Sequence, residues 1–309
     1  MATFTGVPIH NALKTGEDRY AKGWIETIIA GVPFFKMSSV LPIAGRQYFQ
    51  EHEYVLPDVQ FRDLNETYSD TYGDTSESVW GTTIIGSQIK IDKAALKSGM
   101  ANPAKLIARR YAEHAKSALM RVNYESIRGT GASSGFKGLD QLITEGWGQN
   151  FNPTEGAFSF DNLDKAWKLL EHTPNLILCN RDIETSISIV ARNFTSFPLL
   201  GVGQDKLGQP VMTYRGVPLE VLRNGRNSSG ANVPIITSTQ DSGDESTIYL
   251  IAFGEDAVTT LLGNEASMEM MPLGESTEGP YMTGRLEFYP GLASFDPLAL
   301  VSYSNINPS

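Results

Sequence analysis

The chain has 309 residues, of which 41% are hydrophobic and 19% charged, and a formal net charge of −10. That composition describes an ordered protein with a core, and the acidic balance argues against wrapping nucleic acid directly, because phosphate affinity comes from clustered Lys and Arg. No apolar run approaches the roughly 18 residues of a membrane helix, and the start, MATFTGVPIHNALKTGEDRY, lacks the basic-then-apolar layout of a signal peptide, so folding in the cytoplasm is expected.

Residues 1–46 read as an arm. Trp24, Ile25, Ile28 and Ile29 share a helical face before Gly31 and Pro33 interrupt it, and the segment holds too little apolar mass to fold alone. From Gln47 to Lys93 the texture is strand-like, with Tyr48, Tyr54 and Val55 first, then Val79, Trp80, Thr82 to Ile85 and Ile89 to Ile91. Between them RDLNETYSDTYGDTSES is polar, acidic and nearly free of aliphatic residues. This reads as two strands joined by a long solvated excursion that is stable only against something else. Its acidic groups Asp58, Asp63, Glu66, Asp70, Asp74 and Glu77 do not have the spacing of a helix-loop-helix calcium site, so a solvent- or partner-facing charge run is the reading.

The best-marked element is a helix over 103–128. Asn102 suits the cap and Pro103 the first helical position, where no backbone N–H is needed. Ile107, Tyr111, Ala115, Ala118, Leu119 and Val122 recur at three- and four-residue steps, while Arg109, Arg110, Glu113, Lys116, Arg121 and Glu125 fall mostly elsewhere on the wheel. Arg128 places a cation at the negative end, and Gly129 is expected to stop the helix in a left-handed cap. At about 1.5 Å per residue the helix is about 40 Å long.

Gly146 to Gly156 reads as a linker. Asp161 then caps a short helix carrying Leu163, Ala166, Trp167 and Leu170, with Pro174 after it. A buried strand is predicted at Leu176 to Cys179, then a helix with Ile183, Ile187, Val190 and Ala191, then a Gly-rich stretch at Gly201 to Gln209. Val211 to Tyr214 and Val217 to Leu222 flank a hairpin turn at Arg215-Gly216. After a polar loop at Asn224 to Asn232, strands are expected at Val233 to Ile236 and Ile248 to Phe253, and a helical turn at Asp256 to Leu262. The tail reads as strands at Ser267 to Met271, Tyr281 to Tyr289 and Leu298 to Tyr303, with Pro290-Gly291 as a turn. Those strands need a partner layer, and the helix over 103–128 is the candidate.

No stretch carries recognisable chemistry. GTGASSGFKG, at Gly129 to Gly138, resembles a phosphate loop in composition, but Phe136 and Gly138 flank Lys137 where that loop requires Gly before and Ser or Thr after, and the segment follows a helix. Gly201, Gly203 and Gly208 miss the dinucleotide spacing. His10, His52, His114 and His172 are scattered, and Glu51, His52 and Glu53 alternate across a strand, so no metal set forms. The lone Cys179 lies in an apolar run and reads as a packing residue. From the residues alone this is an α+β protein with parts that cannot bury their own apolar faces, which implies burial against copies of the same chain.

The order of parts resembles a known family. An arm, a long hairpin-like excursion, IKIDKAAL, a long amphipathic helix ending in RGTGASSGFKGL, an α/β section with YRGVPLEV and FGEDA, and a strand-rich tail together resemble a tailed-phage major capsid protein of the Hong Kong 97 type. The resemblance implies an α+β fold with an N-terminal arm at 1–46 and an extended two-stranded loop at 47–93. It further implies a peripheral domain at 94–156 with the spine helix 103–128, an axial α/β domain at 157–252, and strands at 253–309 returning to the peripheral domain. It implies a non-enzymatic, cofactor-free protein that forms pentamers and hexamers of an icosahedral shell around double-stranded DNA, made in the host cytoplasm and resident in the virion. DNA would be contacted weakly and non-specifically. Asp63, Glu66, Asp70, Asp74 and Glu77 of the loop would be inter-subunit contacts, facing Arg109, Arg110 or Arg121 of an adjacent spine helix.

A portal, a separate scaffolding protein or an already trimmed chain, and room for decoration proteins are also implied. An encapsulin-type compartment shares the fold and is the first alternative; a soluble enzyme with convergent residues is the second, from another class. Some family members join a loop lysine to a neighbour's asparagine, but no lysine lies between Gln47 and Gln88 here. Assembled particles boiled in detergent are therefore expected to run as a single band near 33.8 kDa, and a ladder of covalent oligomers would refute this.

Overall fold

The computed structural model describes residues 7–8, 38–94, 103–132, 135–154, 156–192, 200–204, 210–237, 246–263, 269–276 and 279–307. The expected arm helix at Trp24 to Ile29 and the Asn102 cap lie outside the described residues, as does part of the Gly201 to Gln209 stretch. Among the described residues no helix is long and apolar enough to cross a membrane.

Helix α1, Pro103–Arg128, has the 26 residues its periodicity predicts. Its first half lies on a three-stranded antiparallel sheet in the order Glu269–Glu275, Tyr281–Phe288, Ile85–Asp92. Tyr111 meets Ile89 and Ile91 there, with Leu106, Ile107 and Leu273 at the edge. Ala115 and Ala118 receive Leu286 and Ile85, and their small side chains let helix and sheet approach closely. Ile85–Asp92 shares the strand-like texture of the residues before it, yet it pairs along its whole length with Tyr281–Phe288 rather than with the excursion. The second half of α1 enters the main core through Leu119, Val122 and Ile127. Glu125, expected on the wet face, is buried there together with Asn123 and Ser126.

The helix stops for a different reason from the one expected. Gly129 does not adopt a left-handed backbone; the positive φ falls at Gly131, at 73°. The Gly129 N–H donates to the Glu125 carbonyl at 2.9 Å, and its carbonyl accepts from the Gly138 N–H at 2.8 Å. A Cβ on Gly138 would lie 2.4 Å from the Glu125 carbonyl oxygen, so these glycines serve backbone contact.

An eight-stranded mixed sheet carries the middle of the chain. Its order is Gln149–Phe151, Leu300–Asn307, Ser246–Ile251, Leu176–Cys179, Val217–Val221, Pro210–Tyr214 and Leu200–Gln204, with Gly156–Ala157 also pairing on Leu300–Asn307. The last tail strand thus lies inside this sheet and not against α1 as expected. Leu176–Cys179 is buried throughout, as its unbroken apolar run predicts. Strand alternation divides it between two cores: Leu176 and Leu178 face the cluster containing the end of α1 and the short helix α2, Leu139–Thr144. Ile177 and Cys179 face helices α3, Phe160–Trp167, and α4, Arg181–Arg192. The α3 cap is Ser159, with Asp161 in the first turn instead, where a carboxylate favours the helix dipole. Arg215 and Gly216 have φ of 51° and 82°, the left-handed pair that a tight hairpin needs, as predicted.

Two other expectations are corrected. The turn predicted at Asp256 to Leu262 is mostly a fully buried strand, Val258–Gly263, in a four-stranded sheet between Ser39–Ile43 and Pro290–Ser294, with Val7–Pro8 beyond. A short apolar run has no diagnostic period, and here Val258, Thr259 and Thr260 favour the extended form. Pro290-Gly291 is the start of an edge strand, not a turn: Pro290 needs no N–H there, and a Cβ on Gly291 would sit 2.6 Å from the Gly81 carbonyl oxygen. The polar loop at 224–232 forms a small hairpin, Asn224–Arg226 with Asn232–Pro234, packed on α1.

Overpacking of a tight backbone contact costs about 1–3 kcal/mol. Gly138→Ala is expected to lower stability by about that amount, whereas Gly45→Ala, with nothing within 4 Å of its Cβ position, should be nearly neutral. Denaturant unfolding of the two variants checks this.

Candidate functional site

The excursion begins as a regular hairpin. Gln47–Val55 and Asp74–Gly81 pair antiparallel, with Gln47 opposite Gly81, Tyr48 opposite Trp80, Phe49 opposite Val79 and Glu51 opposite Glu77. Alternation gives the ribbon two unlike faces. On one, Trp80 is buried, its ring edge-on to Trp147 at 5.0 Å, and Tyr48 and Trp80 both meet Phe295. On the other, Phe49 and Val79 are 57% and 52% exposed. The next rung on that face sets Glu51 against Glu77, a like-charge pair that weakens the ribbon in isolation.

Beyond the ribbon, residues 56–73 form a loop tied by its own polar groups. The Thr71 hydroxyl donates to the Asp58 carbonyl at 2.8 Å, and the Ser69 hydroxyl to Gln60 Oε1 at 2.7 Å, like two rungs. At the tip the Glu66 N–H donates to the Asp63 carbonyl and the Asp63 N–H to Glu66 Oε2, both at 3.2 Å, with Asn65 left-handed at φ 70°. The Arg62 guanidinium donates to the Glu66 carbonyl and lies 5.5 Å from the centre of the Tyr68 ring. With the backbone so held, Leu56, Val59, Phe61, Leu64, Tyr68 and Tyr72 all stand in solvent, Phe61 and Leu64 almost completely. The excursion, read from the sequence as polar, acidic and nearly free of aliphatic residues, thus also presents exposed aromatic and aliphatic groups. The signal was the alternation in VLPDVQF, just before the acidic run.

Asp63, Glu66, Asp70, Asp74 and Glu77 are exposed, as expected of a charge run. Among the described residues no ion pair joins them to Arg109, Arg110 or Arg121. Arg109 and Arg110 are exposed and share the Glu113 carboxylate at 2.9 and 3.2 Å; hydrogen bonding from Arg109 holds the Glu113 carboxyl below its usual range. Two cations against one anion leave this end of α1 positive. Arg121 is bound to Glu125 at 2.5 Å. The second oxygen of Glu125 lies under the glycine turn, 2.9 Å from where a Gly129 Cβ would be and 3.2 Å from a Gly135 Cβ. The turn that resembles a phosphate loop is thus filled by a carboxylate of its own chain.

A second polar cluster fixes the end of α1 to the eight-stranded sheet. Arg128 pairs with Asp140 at 3.1 Å and donates to the Ile235 carbonyl at 2.9 Å and the Thr237 hydroxyl at 3.3 Å. The buried Tyr249 hydroxyl donates to Asp140. Burial, then the Asp140 charge, pushes the Tyr249 phenol well above its usual range, so it stays a donor. Cys179 is wholly buried and its thiol is raised by that burial, which suits packing and not nucleophilic chemistry. Among the described residues no group of three or more His, Cys, Asp or Glu is set to hold a metal ion.

No family model and no curated protein matches the sequence. Solved structures do match along most of the chain. The SrpI encapsulin complex from Synechococcus elongatus aligns with a TM-score of 0.65 at 15% identity, covering 89% of this chain and 87% of that one. The capsid of a native GTA particle gives 0.61 at 11%, covering 89% and 90%. The cyanophage A-1(L) capsid gives 0.58 at 12%, covering 86% and 90%. Such identities carry the fold and nothing finer, and the chain has the Hong Kong 97 type capsid fold.

Proposed function

We propose that this protein is a major capsid protein that self-assembles into pentamers and hexamers of an icosahedral shell enclosing double-stranded DNA. The observation that carries the reading is the hairpin of Gln47–Val55 and Asp74–Gly81, whose loop holds Phe61 and Leu64 in solvent on a hydrogen-bonded backbone. A monomer gains nothing from presenting large apolar groups this way, whereas a subunit with neighbours buries them. The match to capsid and encapsulin structures over nearly the whole chain supports it.

In this reading α1 is the spine of a peripheral domain at 94–156, the far end of the loop at 47–93 lies over a neighbour while its last strand, Ile85–Asp92, stays under α1 of its own subunit, and residues 157–252 form the axial domain. The arm at 1–46 and the strands at 253–309 complete the subunit. The acidic residues Asp63, Glu66, Asp70, Asp74 and Glu77 face basic groups of the adjacent copy. Of the three arginines first considered, Arg109 and Arg110 suit that role better than Arg121, whose charge is matched by Glu125. A scaffolding protein, a portal and the packaged DNA remain the expected partners, and the virion the expected location.

A compartment of the encapsulin type is the second reading, favoured by the TM-score of 0.65 to the encapsulin. The contents of purified particles separate the two: nucleic acid of uniform length supports the capsid, a single protein cargo the compartment. Electron microscopy showing neither rings nor shells under any condition would sink both. Exposed ion pairs contribute about 0.2–1 kcal/mol each. Replacing Asp63, Glu66 and Asp70 with Asn or Gln is therefore expected to weaken assembly measurably and flatten its salt dependence, and unchanged assembly at low salt counts against the charge contact.

A further inference from the structure

We infer that the small hairpin over 223–234 and the middle of α1 form a ridge that takes the phosphate backbone of duplex DNA through Lys116, Arg223 and Arg226. The inference rests on the shell reading and names the surface of the subunit that meets the enclosed DNA.

The ridge is a local excess of positive charge in an acidic chain. Helix α1 carries six Lys and Arg against two carboxylates, and 223–234, RNGRNSSGANVP, has two arginines and no acid, in a protein of formal net charge −10. The small hairpin sits on the helix: a Cβ on Gly225 would lie 2.8 Å from the Tyr124 Cβ. Arg226 donates from one guanidinium nitrogen to the Ser117 hydroxyl at 2.5 Å and from Nε to the Gly230 carbonyl at 2.9 Å. Both acceptors are neutral, so the charge of Arg226 is positioned but not cancelled. Lys116, next to Ser117 in the chain, and Arg223, three residues before Arg226, are exposed. Among the described residues none of these three cations makes an ion pair, whereas Arg121 is matched by Glu125 and Arg128 by Asp140.

The character of the surface selects the partner. Among the described residues, none of the large apolar side chains that stand in solvent lies on α1 or on 223–234. An acidic protein segment such as the loop at 56–73, which carries Phe61 and Leu64, therefore finds no apolar counterpart there. What the ridge offers besides charge is hydrogen bonding from the exposed Asn224, Ser228 and Ser229. Arg, Lys, Ser and Asn are side chains that hold phosphate oxygens, and such contacts carry no sequence information. From Arg223 to Arg226 the chain spans about 10 Å at the usual rise per residue, a length over which duplex DNA presents about six charges. The ridge thus fits a uniform polyanion, gripped independently of base sequence.

Full-length subunits, held below the concentration at which they assemble, are titrated with a short labelled DNA duplex between about 50 and 200 mM salt. Affinity for a duplex falls with a log–log slope of about −0.9 per phosphate neutralised, so the triple variant Lys116→Gln, Arg223→Gln, Arg226→Gln is expected to flatten the slope by about 2.7. Arg226→Gln alone should flatten it by about 0.9, and Arg226→Lys, which keeps the charge, should retain the wild-type slope. Should Arg226→Gln loosen the small hairpin, the pair Lys116→Gln, Arg223→Gln is expected to flatten the slope by about 1.8. Wild-type protein without affinity for the duplex at the lowest salt overturns the inference, as does a triple variant that unfolds at the wild-type denaturant midpoint and keeps the full slope. A peptide copying residues 56–73 that displaces the labelled duplex at lower concentration than unlabelled duplex does assigns the ridge to an acidic protein segment and overturns it as well. Electron microscopy above the assembly concentration tests the shell reading separately. Wild-type shells whose subunits fail the titration leave that reading standing without the ridge, and subunits that pass it but never form particles keep the ridge and lose the shell.

Discussion

The geometry of the whole chain turns on how α1 ends. A long helix transmits position only if its end is fixed, and here the last turn is held by contacts with no slack. The backbone of Gly138 lies against the Glu125 carbonyl and the Gly129 amide, the Glu125 carboxylate fills the turn that follows, and Arg121 neutralises it. Arg128 then joins Asp140, which also receives the Tyr249 hydroxyl from the centre of the eight-stranded sheet. Unpaired, the buried Glu125 carboxylate would cost several kcal/mol. Paired, these groups fix the angle between helix and sheet, because hydrogen-bonded ions tolerate misalignment less well than apolar contacts do.

The hairpin is fixed at one end in a different way. Trp80 and Tyr48 wedge between Trp147 and Phe295, so the base of the ribbon belongs to the main core. Beyond the base the loop stands in solvent. The two faces of the ribbon show the change of environment within a single register: Trp80 is buried while its neighbour Val79 is half in solvent. The like-charge rung of Glu51 and Glu77 is tolerable on a ribbon whose position is set from its base.

How much of this could be read from the sequence depends on whether a local signal existed. Helix α1 was legible end to end because 26 residues sample its period many times and Pro103 and Arg128 mark its limits. Leu176–Cys179 and the Arg215-Gly216 turn were legible for equally local reasons, an unbroken apolar run and a residue pair suited to left-handed backbone. Val258–Gly263 and Pro290–Ser294 were not, since their form is decided by partners far away in the chain. Gly129 and Gly291 were noticed but misread: both exist for close approach of another backbone, which spacing does not encode. At the candidate site the exposure of the acids was legible from composition. The apolar tip was missed because Phe61 and Leu64 bracket the start of an acidic run that dominated the reading.

The position of Leu300–Asn307 governs when the eight-stranded sheet becomes complete. It is the sole bridge in its sheet between Ser246–Ile251 on one side and Gln149–Phe151 on the other, so these two segments of the sheet stay apart until it arrives. Contacts between residues so distant in sequence form late and slowly. During synthesis, the residues that carry the exposed loop emerge long before the strand that locks the sheet beneath α2. The order of synthesis therefore sets an order of folding: the exposed loop is made early, but the rigid body that positions it exists only once Leu300–Asn307 has joined the sheet.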